Sequence, residues 1–264
     1  MTKSDNTPSG PLLRLEGITK TYGTARALDG VSLSIAPGEM VAVIGRSGAG
    51  KSTLLTVINR LTDPDGGTMT CEGRDVLALR GRDLREWRRR CAMVFQRFNL
   101  VARLPVLTNV MTGRLALRPL VPSLLGIFTD EDRAAAIEAL VALDMGAQAL
   151  KRADELSGGQ QQRVAIARAM VQEPRIVLAD EPVASLDPRN SEAVMEALAR
   201  INRDHGITVL INLHSVALAR AYCPRCIAMS VGRVVYDGPT DGLTPQVLER
   251  IYGTADLDAI EEAA

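Results

Sequence analysis

The chain has 264 residues, 46% of them hydrophobic, and its 31 basic and 31 acidic side chains cancel to a formal charge of zero. That is room for one domain of moderate to large size with a substantial core, and the charge balance excludes bulk electrostatic attraction to nucleic acid or anionic lipid. Four cysteines in so long a chain exclude a disulfide scaffold, and no run approaches the ~20 apolar residues that a bilayer span requires.

Met1–Gly10 is polar and lacks the apolar stretch of a secretory signal; a short disordered tail is expected over residues 1–11, on a protein of the cytoplasm. Leu12–Tyr22 and Ala27–Ile35 alternate apolar and polar residues, with Gly23 and Gly30 as turn signals, and predict antiparallel strands. After a turn at Pro37-Gly38-Glu39, the continuous apolar run Met40–Ile44 predicts a strand buried on both faces. Gly45-Arg46-Ser47-Gly48-Ala49-Gly50-Lys51-Ser52 then fits the phosphate-binding pattern G-x-x-x-x-G-K-[ST]. Gly45, Gly48 and Gly50 permit the backbone shapes that let N–H groups of the loop, through Thr53, point together at the phosphates of ATP or GTP. Lys51 would neutralise the β- and γ-phosphates and the Ser52 hydroxyl would bind Mg²⁺. Lysine occurs otherwise only at Lys3, Lys20 and Lys151, so its presence in the loop supports a chemical requirement. Ser52–Arg60 predicts the following helix, and Pro64–Gly67 a turn into a hairpin that includes Thr68–Cys71.

Arg80–Arg90 is basic and includes Trp87; with Asp83 and Glu86 interspersed, a solvated helix face is favoured over a nucleic-acid or lipid patch. From about Gln96 to Gln172 the apolar spacing becomes helical, at Arg133–Leu143 and Gln160–Met170, with Pro119, Pro122 and Gly126 as interruptions. This predicts a helical insertion in an α/β core. Ile176–Ala179 and Thr208–Leu213 return to buried-strand character with a helix at Asp187–Asp204 between them, so the sheet should be mainly parallel. Asp180 and Glu181 end the first of these strands, at the sheet edge where ligands bind. Asp180 would hold Mg²⁺ through water, and Glu181 would orient and polarise an attacking water as general base. Cys223-Pro224-Arg225-Cys226 has redox or metal spacing, but there is no second pair, so a bound zinc or catalytic dithiol is disfavoured. His205 is left as a surface loop residue.

The stretch ELSGGQQQRV from Glu155 to Val164, followed by ARAMVQEPRIVLADEPVASLDP, resembles the ATP-binding cassette (ABC) ATPase family throughout. The resemblance implies an α/β fold of the P-loop NTPase type: a RecA-like core, an antiparallel β subdomain and an inserted helical subdomain at about 97–172. Together these make an ABC nucleotide-binding domain over residues 12–257. It implies two subunits that sandwich two ATP molecules head to tail. Ser157, Gly158, Gly159 and Gln160 match the signature that contacts the γ-phosphate held by the opposite subunit, and Asp187 matches a loop that acts across the dimer. Gln96 matches a glutamine that touches Mg²⁺ or the lytic water, His214 a histidine that contacts the γ-phosphate, and Tyr22 an aromatic that stacks on adenine.

Within that family, Val94–Leu115 and Ile201–Gly238 resemble phosphonate importers, with Pro105 and Cys226 as departures. The expected function is therefore an ATP-hydrolysing subunit that energises a membrane importer, peripheral at the cytoplasmic face of the membrane. Its implied partners are a second copy of the cassette, integral membrane permease subunits and, indirectly, a substrate-binding protein; nucleic acid is not expected. The ATPase of another importer or exporter, or a soluble ABC protein acting on a macromolecular assembly, stays open. Phe95, Phe98, Leu100 and Leu107 could be core or a socket for a partner helix.

Overall fold

The computed structural model describes residues 10–118, 123 and 125–253. Most of the tail expected over residues 1–11, the stretch 254–257, and Pro119 and Pro122 lie outside the described residues. Two sheets organise the chain. The first is antiparallel in the order β2-β1-β4-β5, from Leu13–Tyr22 (β1), Ala25–Ile35 (β2), Gly66–Cys71 (β4) and Arg74–Asp75 (β5). In β1 the buried positions run Leu13, Leu15 and then Ile18, because an irregularity between Leu15 and Ile18 shifts the register and returns Ile18 to the core face.

The second sheet has the order β10-β9-β3-β8-β7-β6. Its strands are Met40–Ile44 (β3), Cys91–Val94 (β6), Ile176–Asp180 (β7), Thr208–Asn212 (β8), Arg225–Ser230 (β9) and Arg233–Pro239 (β10). All neighbours are parallel except β10, which closes one edge antiparallel to β9. The alternation of side chains divides two cores. Met40, Ala42, Ile44, Val177, Ala179, Val209 and Ile211 face a helical layer; Val41, Val43, Ile176, Leu178 and Leu210 face the antiparallel sheet and the helix Lys51–Ile58 (α1). β3 is buried at every position, as its unbroken apolar run predicts.

Further α-helices among the described residues are Gly81–Arg90 (α2), Val106–Met111 (α3), Asp130–Ala142 (α4), Gly158–Met170 (α5), Pro188–His205 (α6), Val216–Tyr222 (α7) and Pro245–Tyr252 (α8). No helix among the described residues is long and apolar enough to cross a membrane. Three expectations are corrected. The first helix stops at Ile58, short of Arg60, which turns into the left-handed region at φ +63°. His205 is the exposed last residue of α6, which Gly206 terminates at φ +63°. α2 is not a merely solvated face: Trp87 is buried and donates from Nε1 to Ile58 O at 3.0 Å, while Arg89 donates to Gln172 O at 2.6 Å and pairs with Glu86. Arg88, Arg89 and Arg90 are thus committed to the chain's own carbonyls and acids, while Arg82 and Arg85 stay on the exposed side of the helix.

Cys223 and Cys226 both pack in the core, and burial pushes both thiols up to about 12. Thiols so placed behave as small apolar groups, without the thiolate that metal binding or redox chemistry needs.

A buried ion cluster ties the helical segment together. Thr129 and Asp132 form a capping box at the start of α4, and the Asp132 carboxylate meets Arg114 Nε at 2.7 Å and Arg118 Nη2 at 2.6 Å. Burial by itself pushes this carboxyl up, but Arg118, the Thr129 amide and Arg114 together hold it well below the usual carboxylate range. Asp132→Asn leaves two guanidinium groups without their buried counter-charge and should cost about 3–5 kcal/mol at neutral pH. Because the folded-state value is depressed, the wild-type contribution is fully present above about pH 4 and is lost as the pH falls through the lower folded value. Thermal denaturation should therefore show a gap between the two proteins that narrows as the pH drops below about 4.

Candidate functional site

β3 carries the chain to Gly45, where the backbone passes so close to β9 that a Cβ would lie 2.2 Å from Met229 O. The loop then turns through Gly48, at φ +78° with open space above it, and Gly50, at φ +101°. Gly50 caps α1 without any side-chain hydrogen bond, and the first turn of α1 holds no acid. The helix thus presents unpaired amides and the positive end of its dipole to a cleft of about 310 Å³. Ala27, Ser47, Gly48, Gly50, Lys51, Ser52, Thr53 and Glu181 line this cleft. A larger cavity of about 570 Å³ opens between α4, α5 and α6, lined by apolar Ala139, Leu143, Met170 and Ile201 together with charged Arg114, Glu173 and Arg200.

Lys51 folds its amine back into the loop, donating to Gly45 O at 2.7 Å and Arg46 O at 3.0 Å. Burial pushes its pKa below the usual lysine value, with Glu181 and Asp180 opposing. Ser52 Oγ donates to Asp180 Oδ1 at 2.8 Å. Asn212, across the β7–β8 register from Asp180, donates from Nδ2 to the same carboxylate oxygen at 2.7 Å and to Ser52 Oγ at 3.3 Å. Asn212 is missing from the candidates that sequence reasoning supplies; the available signal is an amide closing an apolar run one strand over from the acid. Glu181 sits in the left-handed region at φ +48°, a strained position for a residue with a side chain. Its Oε1 lies 2.6 Å from Nε2 of His214, which follows β8.

The structure thus brings Gly45–Thr53, Asp180, Glu181 and His214 to one sheet edge. Gln96 is exposed two residues beyond β6, whose register pairs Val94 with Ala179, so it shares that edge without a hydrogen bond to the cluster among the described residues. Tyr22 is half exposed at the end of β1, opposite Ala25, with Lys20 Nζ 5.5 Å from its ring centroid; it lies outside the cleft lining.

A second cluster stands apart. Ser157 caps α5 and forms a capping box with Gln160. A Cβ at Gly159 would overlap Asn190, at 2.6 Å from Oδ1, whereas one at Gly158 would only press on Leu186 Cδ2 at 3.2 Å. Asp187 caps α6, and the Asn190 amide and side chain hold its carboxylate below the usual range. None of Ser157, Gly158, Gly159, Gln160 or Asp187 lines the phosphate-loop cleft. From the other end of α5, Arg168 donates to Phe98 O at 2.8 Å and Asn99 O at 2.5 Å, which fastens the segment after Gln96 to this helix.

The family of ABC transporters matches residues 28–184. A phosphonates import ATP-binding protein of Rhodopseudomonas palustris is 59% identical over 250 residues, 95% of this chain and 91% of that protein. One of Bradyrhizobium diazoefficiens is 57% identical over 250 residues, 95% and 92% of the two chains. Among solved structures, the dimeric structure of a bacterial ABC transporter cassette is 35% identical with a TM-score of 0.77, covering 87% of this chain and 99% of that one. A nucleotide-free cassette from an ABC transporter is 28% identical with a TM-score of 0.81, covering 90% and 98%.

The loop geometry separates two glycines. Gly48→Ala should cost only left-handed strain, roughly 1 kcal/mol. Gly50→Ala adds an overlap 2.3 Å from Ala27 O and should be clearly the more destabilising of the two. Parallel melting curves check that order.

Proposed function

The chain belongs to the ABC transporter family, and on that premise we propose that it is the ATP-hydrolysing subunit of a membrane importer whose cargo is a phosphonate. The observation that carries the catalytic part is the convergence of Lys51, Ser52, Asp180, Glu181 and His214 on the mouth of an uncapped helix. The cargo part rests on relatives named for phosphonates import, 57–59% identical over most of both chains. We assign residues 12–257 to one cassette, with the helical part at about 97–172 inserted in it. Its place is peripheral, on the cytoplasmic side of permease subunits that a substrate-binding protein supplies.

In this reading the amides of Gly45–Thr53 hold the phosphates of ATP, and Lys51 exchanges the Gly45 and Arg46 carbonyls for β- and γ-phosphate oxygens. Tyr22 offers its exposed ring to adenine. The hydroxyl of Ser52 beside the carboxylate of Asp180 is a hard oxygen donor set of the kind Mg²⁺ prefers, and these two with Gln96 would hold that ion. Bound there, Mg²⁺ supplies neutralisation of the phosphate charge. Glu181 takes the proton of the attacking water, while His214 fixes the Glu181 carboxylate and reaches toward the γ-phosphate. Ser157, Gly158, Gly159 and Gln160 of a second copy, with its Asp187, complete the site from outside, because in their own chain they stand apart from the cleft. There the N-terminus of α5 offers amide donors to negative charge. Binding thereby favours a closed pair of cassettes and hydrolysis releases it.

Purified with its permease and binding protein in vesicles, the complex should hydrolyse ATP faster when a phosphonate is supplied; stimulation by other cargo alone would redirect the assignment. Glu181→Gln should keep ATP affinity, accumulate ATP-bound dimers on size exclusion, and lower steady-state phosphate release by about 10²–10⁴-fold. Lys51→Ala removes a charge-assisted contact and should weaken nucleotide binding by about tenfold or more in equilibrium titration, whereas His214→Ala should depress turnover more than affinity.

A further inference from the structure

Asn212 occupies a position that packing alone would fill differently. It is fully buried at the end of β8, a strand whose other residues are Thr208 and the aliphatic run Val209–Ile211. Burying a primary amide is costly unless its donors and acceptor are met. Here both contacts of Nδ2 lead into the site, to Asp180 Oδ1 and Ser52 Oγ, while Oδ1 is buried without a partner. An apolar side chain of similar size would leave no orphaned carbonyl, so the amide is kept at a cost to stability, and its two donated bonds are what the cost supports.

The placement follows from topology. β8 lies between β7 and β3, so Asn212 is level with Asp180 on one side and with Val43, two residues before the phosphate loop, on the other. Ser52, Asp180 and Asn212 close a three-membered ring of hydrogen bonds. A cation entering between Ser52 and Asp180 must break the bond that links them, because the Ser52 hydroxyl hydrogen lies along that line. Asp180 then keeps one fixed donor, Asn212 Nδ2.

We propose that Asn212 is a positioning residue for the divalent cation: it would hold the Asp180 carboxylate in place while the Ser52 hydroxyl, still protonated, turns its hydrogen away from Asp180 to offer a lone pair. This rests on the ATP-binding reading of the site. The role differs from simple packing in what it predicts. Nucleotide affinity without metal should not depend on Asn212, whereas the gain in affinity that the metal brings should.

The test uses the full-length chain with ATP, titrated with and without Mg²⁺, and with Mn²⁺ followed by electron paramagnetic resonance. Asn212→Leu should melt no lower than the wild type, bind metal-free ATP within twofold of it, and need about tenfold more Mn²⁺ for half-saturation in the presence of ATP. Asn212→Thr, which keeps a short hydroxyl donor, should fall between the two. Unchanged metal dependence in Asn212→Leu would overturn the proposal, as would equal losses of metal-free and metal-supported binding, the mark of a structural role. A measurement on the wild type needs no variant: with ¹⁵N-labelled asparagine, one exchange-protected side-chain amide should shift when Mg²⁺ is added to the ATP complex, and no shift would overturn the proposal. A wild-type chain that bound no ATP would overturn the ATP-binding reading as well, whereas wild-type metal dependence in Asn212→Leu overturns this proposal alone.

Discussion

Burial of the parallel sheet on both faces decides where chemistry can occur in this molecule. With helices on one side and an antiparallel sheet on the other, β3, β7 and β8 have no wet face along their length. Polar groups can stand only where strands end. Three adjacent strands running the same way end at one edge, so Gly45, Asp180 and Asn212 arrive together with no further instruction. The helix that follows β3 adds its uncapped N-terminus at the same point. A positive helix end thus faces two acids across a cleft, the arrangement on which the proposed binding of a polyanion and activation of water rest.

Lys51, Ser52, Asp180, Glu181 and His214 each have a partner inside the chain. Lys51 is held by two loop carbonyls, Ser52 by Asp180, and Glu181 by His214. For these side chains, nucleotide binding is therefore an exchange of hydrogen bonds, while the unpaired amides at the start of α1 would gain partners. The strain at Glu181, a non-glycine residue in the left-handed region, fits this picture. It turns the carboxylate out of the strand direction and toward His214, at a cost that the packed strands on either side can hold.

The phosphate loop, the acid pair and the glycine-rich signature were legible because each is a contiguous string whose chemistry depends on neighbours in sequence. So were the buried strands, whose unbroken apolar runs carry their own meaning. What escaped depends on how distant segments fall into register. The Glu181–His214 contact and the amide of Asn212 exist only because β7 and β8 pair Asp180 with Asn212. Trp87 read as one aromatic in a basic helix, but it packs into the core below the antiparallel sheet and its indole N–H meets the carbonyl of Ile58. The solvated face expected of α2 holds for Arg82 and Arg85, but not for Arg88 and Arg89, which reach carbonyls and an acid of the chain.

The grip of Arg168 on the carbonyls of Phe98 and Asn99 has a mechanical meaning. Two bonds from one planar guanidinium to successive peptides resist rotation as well as separation, so the stretch after Gln96 and the helix α5 share one frame. Eleven residues separate Arg168 from Ser157, a lever of about 16 Å at ~1.5 Å per residue. A tilt of only about 5° at the Arg168 end would sweep the Ser157 end through more than 1 Å, enough to make or break a hydrogen bond. Any displacement of the stretch after Gln96 would thereby be carried, and lengthened, to the far tip of the helix through one arginine.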